Sequence, residues 1–345
     1  MNDISFSAAP AMPEPPAVDY SPSARRAYNR VGLGMLVFLL LPLVVSLVVQ
    51  LVAMLFFPEY YESSLFLWFN QIFSMYLVTA PICLLVIGVP PANMPVREKH
   101  TMPFSHLFVI FCIMEMVAVA GSWLSQLLMS LVSLLSGREH VSPLDEILSG
   151  APLWVIFLVV VVIGPIIEEL VCRAAIMRRL LPYGEKSAIL VSAICFGVMH
   201  ENFYQLFYAV GVGILLGYVY ARTGRLLYVC GLHILFNFLG SFIPMLVMQF
   251  IDVSVLETLT AAELLPWVME NLLPFLGLLL YDLVLYGLAL AGLILLIVFF
   301  KRARFEPTLL PLQRGKHVAA CLGNPGAILF LIAGVAMLVL SIFIY

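Results

Sequence analysis

The chain alternates between long apolar runs and short polar connections. Nine runs are close to or above the roughly 20 residues that a helix needs to cross a hydrocarbon layer. In chain order, these predicted spans are 31–57, 64–89, 104–135, 152–180, 187–203, 205–221, 226–251, 271–300 and 326–345. Because hydrocarbon offers the backbone no hydrogen-bond partners, such runs fold as helices. The pattern therefore predicts an all-α, polytopic membrane bundle of about nine transmembrane helices.

The composition excludes a soluble globular protein. Hydrophobic residues make up 63% of the 345 residues, charged residues make up 11%, and the mean hydropathy is +1.08. Soluble domains are about 25% charged. A transmembrane barrel would instead show short segments of alternating polarity. The net charge of −3 is too small to suggest a nucleic-acid partner. The long apolar runs make the lipid bilayer the expected environment.

The distribution of lysine and arginine predicts the orientation of the bundle. Fifteen of the 17 basic residues lie in the N-terminal segment or in the even-numbered connections, whereas the odd-numbered connections are acidic. This distribution predicts a cytoplasmic N-terminus and an external C-terminus. The Pro-rich start of the chain predicts a disordered cytoplasmic tail at 1–28, followed by a membrane domain at 29–345.

Six polar residues interrupt three of the apolar spans. A charge at the bilayer centre costs on the order of 2.5–3.5 kcal/mol on insertion scales, so an ionisable residue there is expected to be functional. The fourth span holds three of them, the fifth holds one and the seventh holds two: Glu168, Glu169, Arg173, His200, His233 and Asn237. At about 1.5 Å per residue, Glu168, His200 and His233 all reach the middle or inner half of the bilayer. They can therefore converge on one cavity.

The fourth span contains a candidate general base. Glu169 and Arg173 are four residues apart and share one helix face, so they are expected to pair. Glu168 points about 100° away and has no partner in its own helix, which suits a general base. Pro165 can free a backbone carbonyl and bend the helix beside the site. The alternative is that these charges only hold helices together.

Histidines in the later spans extend the candidate site. His200, considered beside Glu168, is a candidate catalytic residue, and the alternative is a core histidine whose hydrogen bonds are satisfied. His200 does not belong to an HExxH zinc motif, because Tyr204 occupies the position of the second histidine. His233 and Asn237 share a helix face and can donate hydrogen bonds to a developing oxyanion. The alternative for this pair is a hydrogen bond between helices.

Other residues leave alternatives open. Two His and two Glu side chains can also hold zinc, although the neighbouring Asn and Arg fit a metal shell poorly. We therefore expect no metal and no cofactor. Glu201, next to His200, is expected at the membrane interface. Glu115 and Asp282 are further buried acids, which either face the cavity or pair with Arg173.

Three short motifs carry a family resemblance. EExxxR occupies 168–173, FxxxH occupies 196–200 and HxxxN occupies 233–237. In order, spacing and helical context they resemble the CPBP family of intramembrane glutamic endopeptidases. That family includes CAAX prenyl proteases of the Rce1 type and the bacterial abortive-infection-like proteins. The resemblance covers residues 150–245, which would form the catalytic core.

The resemblance implies an endopeptidase that needs no metal. Glu168 and His200 would activate a water molecule that attacks the peptide bond. His233 and Asn237 would stabilise the tetrahedral oxyanion. Glu169 would support the site together with the arginine of EExxxR.

The resemblance also implies a substrate and a location. The substrate would be a membrane peptide or a lipidated protein, and the enzyme would be a multi-pass protein of the bacterial plasma membrane. Two other functions stay open. One is a non-catalytic membrane scaffold or bacteriocin-immunity-type protein with the same fold. The other is a proton-coupled transporter, although no inverted repeat with paired broken helices is evident.

Overall fold

The fold is a helical bundle, as a computed structural model shows. The structure describes residues 18–61, 63–91, 98–143, 148, 151–251, 255, 258–313 and 315–344. Its main helices within these residues are α1 (Ser21–Phe56), α2 (Ser64–Ile87), α3 (Phe104–Ser136), α4 (Leu153–Tyr183), α5 (Glu185–Val198), α6 (Phe203–Thr223), α7 (Leu226–Met248), α8 (Ala261–Glu270), α9 (Leu272–Arg302), α10 (Lys316–Leu322) and α11 (Pro325–Ile344).

The described part of the chain contains eight helices that are long and apolar enough to cross a membrane: α1, α2, α3, α4, α6, α7, α9 and α11. This result confirms a multi-pass helical membrane protein. The count is one lower than the nine spans predicted, and the difference lies in the fifth span. Helix α5 has 14 residues and is therefore about 21 Å long, which is shorter than the hydrocarbon layer.

Helix α5 nevertheless reverses the chain direction. Gly197 lies against Val210, and Gly217 lies against Ile189, so α5 and α6 pack antiparallel along their length. The later helices therefore keep the alternating direction that nine spans predict.

The N-terminal boundary differs from the prediction. Residues 21–28 are already helical in α1, so the predicted end of the disordered tail at residue 28 is wrong. Pro22 suits the first turn of a helix, where a backbone N–H has no partner in any case. Tyr28 is buried, and its hydroxyl lies 3.1 Å from the hydroxyl of Ser187, which ties this part of α1 to α5. Residues 1–17 of the predicted tail lie outside the described residues.

The core of the bundle lies where α1, α4, α5 and α6 meet. Met35 and Phe38 of α1, Ile176 and Met177 of α4, and Leu216 of α6 are completely buried there. Helices α9 and α11 lie further out and leave most of their surface for lipid. The face of α4 that carries the EExxxR motif is thereby at the centre of the protein.

One end of the bundle gathers the basic connections, and we call it the basic end. Arg179 donates to the carbonyl of Gly88 at 2.7 Å, and Arg222 pairs with Glu306 at 2.9 Å. These contacts join the last turns of α4 and α6 to the connections that follow α2 and α9. The even-numbered connections therefore meet at one end, as the charge pattern predicts.

The opposite end carries the acidic connections, and we call it the acidic end. There the hydroxyl of Tyr204, at the start of α6, donates to the carbonyl of His140 in the connection after α3. The cytoplasmic position of the N-terminus stays a prediction, which rests on the excess of Lys and Arg at the basic end.

Helices α3 and α9 approach each other backbone to backbone. A methyl group added to Gly292 would overlap the carbonyl of Cys112. Small residues allow such close approach of helices in membranes, where dispersion contacts drive helix association. Gly292 therefore fixes the distance between α9 and the helix that carries Glu115.

Substitution of Gly292 is expected to destabilise the fold. Gly292→Ala should lower the free energy of unfolding by about 1–3 kcal/mol, because the added methyl group forces α9 away from α3. Gly287→Ala is the matched control, since no atom of another described helix lies within 4 Å of the added group. The control should be neutral or stabilising by up to about 1 kcal/mol. Thermal unfolding in detergent measures both, and equal midpoints would contradict the close approach.

Candidate active site

Helix α4 carries an ion pair at the centre of the bundle. Nε of Arg173 lies 3.1 Å from Oε2 of Glu169, and both side chains are fully buried. The pair predicted from the four-residue spacing is therefore present. Nη2 of Arg173 also donates to the carbonyl of Gly213 at 3.0 Å, and the guanidinium carbon lies 5.1 Å from the ring centroid of Phe196. One cation thereby joins α4, α5 and α6.

Glu169 has a second partner that the sequence did not indicate. Its Oε1 accepts a hydrogen bond from Nδ1 of His233 in α7, at 3.0 Å. Because an ionised carboxylate only accepts, Nδ1 is the nitrogen that carries the hydrogen. Glu169 therefore orients the His233 ring, as a carboxylate orients the histidine of a hydrolase triad. Only the packing of α7 against α4 reveals this role.

Glu168 faces the cavity instead of the buried pair. Its side chain is 17% exposed, and its Oε2 lies 3.6 Å from Nε2 of His233. His233 therefore lies between two carboxylates, with one ring nitrogen toward each. Successive residues of a helix are offset by roughly 100°, which explains why Glu169 is buried while its neighbour reaches the cavity.

His200 lies in the turn that ends α5. Its Nδ1 lies 2.8 Å from the carbonyl of Phe196. Since a carbonyl only accepts, Nδ1 is the protonated nitrogen, and Nε2 of the neutral ring can accept a proton. Within the described residues, no oxygen of Glu168 lies within hydrogen-bond distance of the His200 ring. A proton that moves between the two groups must therefore pass through an intervening molecule.

The connection between α5 and α6 holds His200 in place. Nδ2 of Asn202 donates to the His200 carbonyl at 2.6 Å, and Oδ1 accepts from the Gln205 N–H at 2.9 Å, which caps α6. Glu201 adopts a left-handed backbone conformation with φ of 58°, which is sparsely populated by residues other than glycine. The turn thus reverses the chain within a few residues.

Phe196 fills the space between the two histidines. Its ring meets the rings of His200 and His233 edge to face, with centroid distances of 5.2 and 5.4 Å. The same ring lies under the Arg173 guanidinium. The aromatic residue of the FxxxH motif therefore supports three of the polar side chains of the site.

Asn237 makes a hydrogen bond inside the protein. Its Nδ2 donates to the carbonyl of Val160 at 2.8 Å. The adjoining segment of α4 is π-helical, and Gly164 there bonds to Val159, five residues earlier. The next residue, Pro165, has no N–H, so the Val160 carbonyl is left without a helical donor. Pro165 thus frees a carbonyl as predicted, and Asn237 satisfies it.

The loss of Asn237 is expected to depend on Pro165. Asn237→Ala should lower the free energy of unfolding by about 1–3 kcal/mol, because it leaves a carbonyl inside the membrane without a donor. Pro165→Ala returns an N–H at the position that can reach Val160, so the cost of Asn237→Ala should fall below about 1 kcal/mol in that background. Unfolding of all four proteins measures the coupling. An equal cost in both backgrounds would contradict it.

The site lines a cavity of about 1150 Å³. Its wall includes all four side chains predicted to be catalytic, namely Glu168, His200, His233 and Asn237. The helices that line the cavity contribute residues from their middle or from the half nearer the acidic end. The cavity therefore opens toward the acidic end.

The two further acids have different surroundings. Glu115 is 2% exposed and lines the cavity, whereas Asp282 is exposed on α9 and lies outside the cavity wall. Neither forms an ion pair with Arg173 in the described part of the chain. Tyr76 of α2 also lines the cavity. No sequence spacing links Tyr76 to the motifs, because α2 meets them only through tertiary packing.

The metal alternative depends on the arrangement of the donors. Among the described residues, no three His, Cys, Asp or Glu side chains are placed to hold one metal ion. Nδ1 of each site histidine is already hydrogen bonded to protein, and Glu169 is paired with Arg173.

One segment of the chain is similar to a known protein family. Residues 150–239 match the family described as type II CAAX prenyl endopeptidase, Rce1-like. This range contains the EExxxR, FxxxH and HxxxN motifs and the residues of the buried ion pair. We call residues 150–239, which are similar to this family, the Rce1-like segment. It forms α4, α5, α6 and most of α7, whereas Glu115 and Tyr76 come from helices outside it.

A known protein is similar to this chain over a region about as long as the Rce1-like segment. The Bacillus subtilis (strain 168) protein named "Putative membrane peptidase YdiL" is 29% identical over 103 residues. The aligned region covers 29% of this chain and 40% of that protein, so the match spans less than half of the relative. No solved structure gives a significant match. The likeness therefore concerns a region of similar length to the Rce1-like segment and not the whole chain.

Proposed function

We propose that the protein is an intramembrane, metal-independent endopeptidase whose attacking water is activated by Glu168 and His200. One observation carries the proposal. Both side chains line the same cavity inside the bundle, and within the described residues no direct hydrogen bond joins them. A water molecule between a carboxylate and an imidazole nitrogen is polarised by both, which is the arrangement that general-base catalysis requires.

The proposed reaction balances in two steps. Water transfers one proton to the Glu168–His200 pair while its oxygen bonds to the scissile carbonyl carbon, which forms a tetrahedral oxyanion. Collapse of this intermediate breaks the C–N bond, and the same proton passes to the leaving amine. The enzyme thereby returns to its starting protonation state.

The oxyanion is proposed to lie beside His233. Because Nδ1 of His233 donates to Glu169, its Nε2 donates to an oxyanion only when the ring carries both protons. Asn237 uses one amide hydrogen for Val160 and has a second one to offer. Preorganised donors of this kind stabilise charge that develops in the transition state.

The comparisons support a protease at the level of the family. The Rce1-like segment matches a family described as prenyl endopeptidases, and the name of the Bacillus subtilis relative is that of a membrane peptidase. We propose a membrane peptide or a lipidated protein as the substrate. The bacterial plasma membrane is the proposed location.

The direction of access follows from the cavity. It opens toward the acidic end, and the positive-inside rule predicts that this end is external. The substrate is therefore proposed to enter as a peptide segment in the external half of the bilayer.

The test is a mass-spectrometric catalogue of new peptide termini in membranes with and without the protein, each treated with or without a zinc chelator. The proposal predicts termini that appear only with the protein and persist with the chelator. If the termini disappear with the chelator and return when zinc is added, the mechanism is metal-dependent and the proposed one is wrong. Identical catalogues from membranes that contain folded protein would favour the scaffold or immunity function.

A further inference from the structure

Glu115 is an unpaired carboxylate in the wall of the cavity. Its Oε1 is buried and has no hydrogen-bond partner in the part of the chain that the structure describes. Buried carboxylates are normally hydrogen bonded or paired with a cation, because their burial is otherwise costly. Glu115 lies outside the Rce1-like segment and outside the catalytic arrangement proposed above. A partner bound in the cavity would explain its position.

The lining of the cavity indicates the charge of that partner. Glu115, Glu168 and Glu201 all line it, and no Lys or Arg lines it among the described residues. From α9, Tyr281 lies near Glu115 and also lines the cavity, and it offers no positive charge. The cavity therefore presents carboxylates to its occupant, and its two site histidines carry a positive charge only when both ring nitrogens are protonated.

The sequence gives the same sign of charge to the connections at the end toward which the cavity opens. The connections at the acidic end carry acidic residues, and Arg138 is the one basic residue that the sequence assigns to them. A cleft with one sign of charge and low-dielectric walls concentrates ligands of the opposite sign. The connections at the acidic end and the wall of the cavity therefore both favour a cationic ligand.

We propose that the cavity takes a peptide segment with a basic side chain, and that Glu115 pairs with this Lys or Arg as a specificity subsite. The proposal rests on the endopeptidase function proposed above and adds the class of sequence that is cut. The reacting bond would lie at Glu168 and His200. Because Glu115 is fixed on α3, the basic residue would occur at a constant number of residues from the cleaved bond.

The first experiment compares catalogues of new termini from membranes with the wild type, Glu115→Gln and Asp282→Asn. Asp282→Asn is the matched control, because it removes an acid of the neighbouring helix that lies outside the cavity wall. Wild type and control should show an excess of Lys or Arg at one position relative to the cut. Glu115→Gln should lose that excess while cleavage continues.

The second experiment uses synthetic peptides that copy the most strongly cut segment, with the basic residue present or replaced by norleucine. In the wild type, norleucine should lower kcat/KM at least about 30-fold, as expected for truncation of one partner of a buried charge pair. In Glu115→Gln the same replacement should change kcat/KM by less than about threefold, since the pair is already broken. The wild-type arm needs no protein variant, so it holds even where Glu115→Gln fails to fold.

The outcomes separate the two proposals. Absence of wild-type termini would overturn the endopeptidase function and this inference with it. Termini without a basic residue at a constant position, or equal kcat/KM for the two peptides, would overturn the subsite alone. Loss of the basic preference in Asp282→Asn as well would assign it to overall charge and not to Glu115.

Discussion

Replacement of His200 by glutamine is expected to lower the turnover of peptide cleavage by about 10²–10⁴-fold, the usual contribution of a general base. The glutamine amide can still donate to the Phe196 carbonyl, as Nδ1 of His200 does. It cannot accept a proton from water, which is the function assigned to Nε2. The measurement is kcat on a peptide identified from the new termini, with purified protein in proteoliposomes.

A control separates this effect from the loss of a histidine as such. His106→Gln makes the same chemical change at an exposed position of α3, outside the cavity wall, and should leave kcat unchanged. Thermal unfolding of both variants should match the wild type within a few degrees. A His200→Gln protein that is folded and cleaves at the wild-type rate would remove His200 from the mechanism.

Replacement of Arg173 by leucine is expected to lower the free energy of unfolding by about 3–5 kcal/mol. The reason is that Glu169 would remain fully buried without its cation. The substitution also removes the hydrogen bond to the Gly213 carbonyl in α6. Denaturant or thermal unfolding in detergent measures the loss.

Two further variants test the cause of that loss. Arg178→Leu changes an exposed arginine of the same helix and should have little effect. A double variant with Glu169→Gln and Arg173→Met removes both buried charges and keeps an acceptor for His233. It should recover most of the stability, because an uncompensated buried charge is the main cost. A double variant that is no more stable than Arg173→Leu would contradict this explanation.

The class of fold was predictable because hydropathy alone determines which segments can enter a bilayer. The end of α5 at Val198 was not predicted, since the predicted span 187–203 continues beyond it. The helix ends early because Glu201 takes a left-handed conformation and Asn202 caps the next helix. The helical start of α1 was missed because the composition of the tail concealed the buried Tyr28.

Within the site, relations inside one helix were predictable and relations between helices were not. The spacing of Glu169 and Arg173 indicates their pair, and Pro165 indicates a free carbonyl. The bonds from His233 to Glu169 and from Asn237 to Val160 depend on the rotation of α7 against α4. The π-helical segment Ile156–Ile163 of α4 also rotates Val160 relative to Glu169, compared with an ideal α-helix. Likewise, only packing distinguishes Glu115, inside the cavity, from Asp282 on the exposed face of α9.

The most direct test of the central claim is a comparison of new peptide termini in membranes that carry the wild type or Glu168→Gln, at equal amounts of folded protein. The proposed mechanism predicts termini that are present with the wild type and absent with Glu168→Gln, because the amide cannot take the proton from the attacking water. The same termini at the same yield in both membranes would contradict the assignment of Glu168 as the group that activates water.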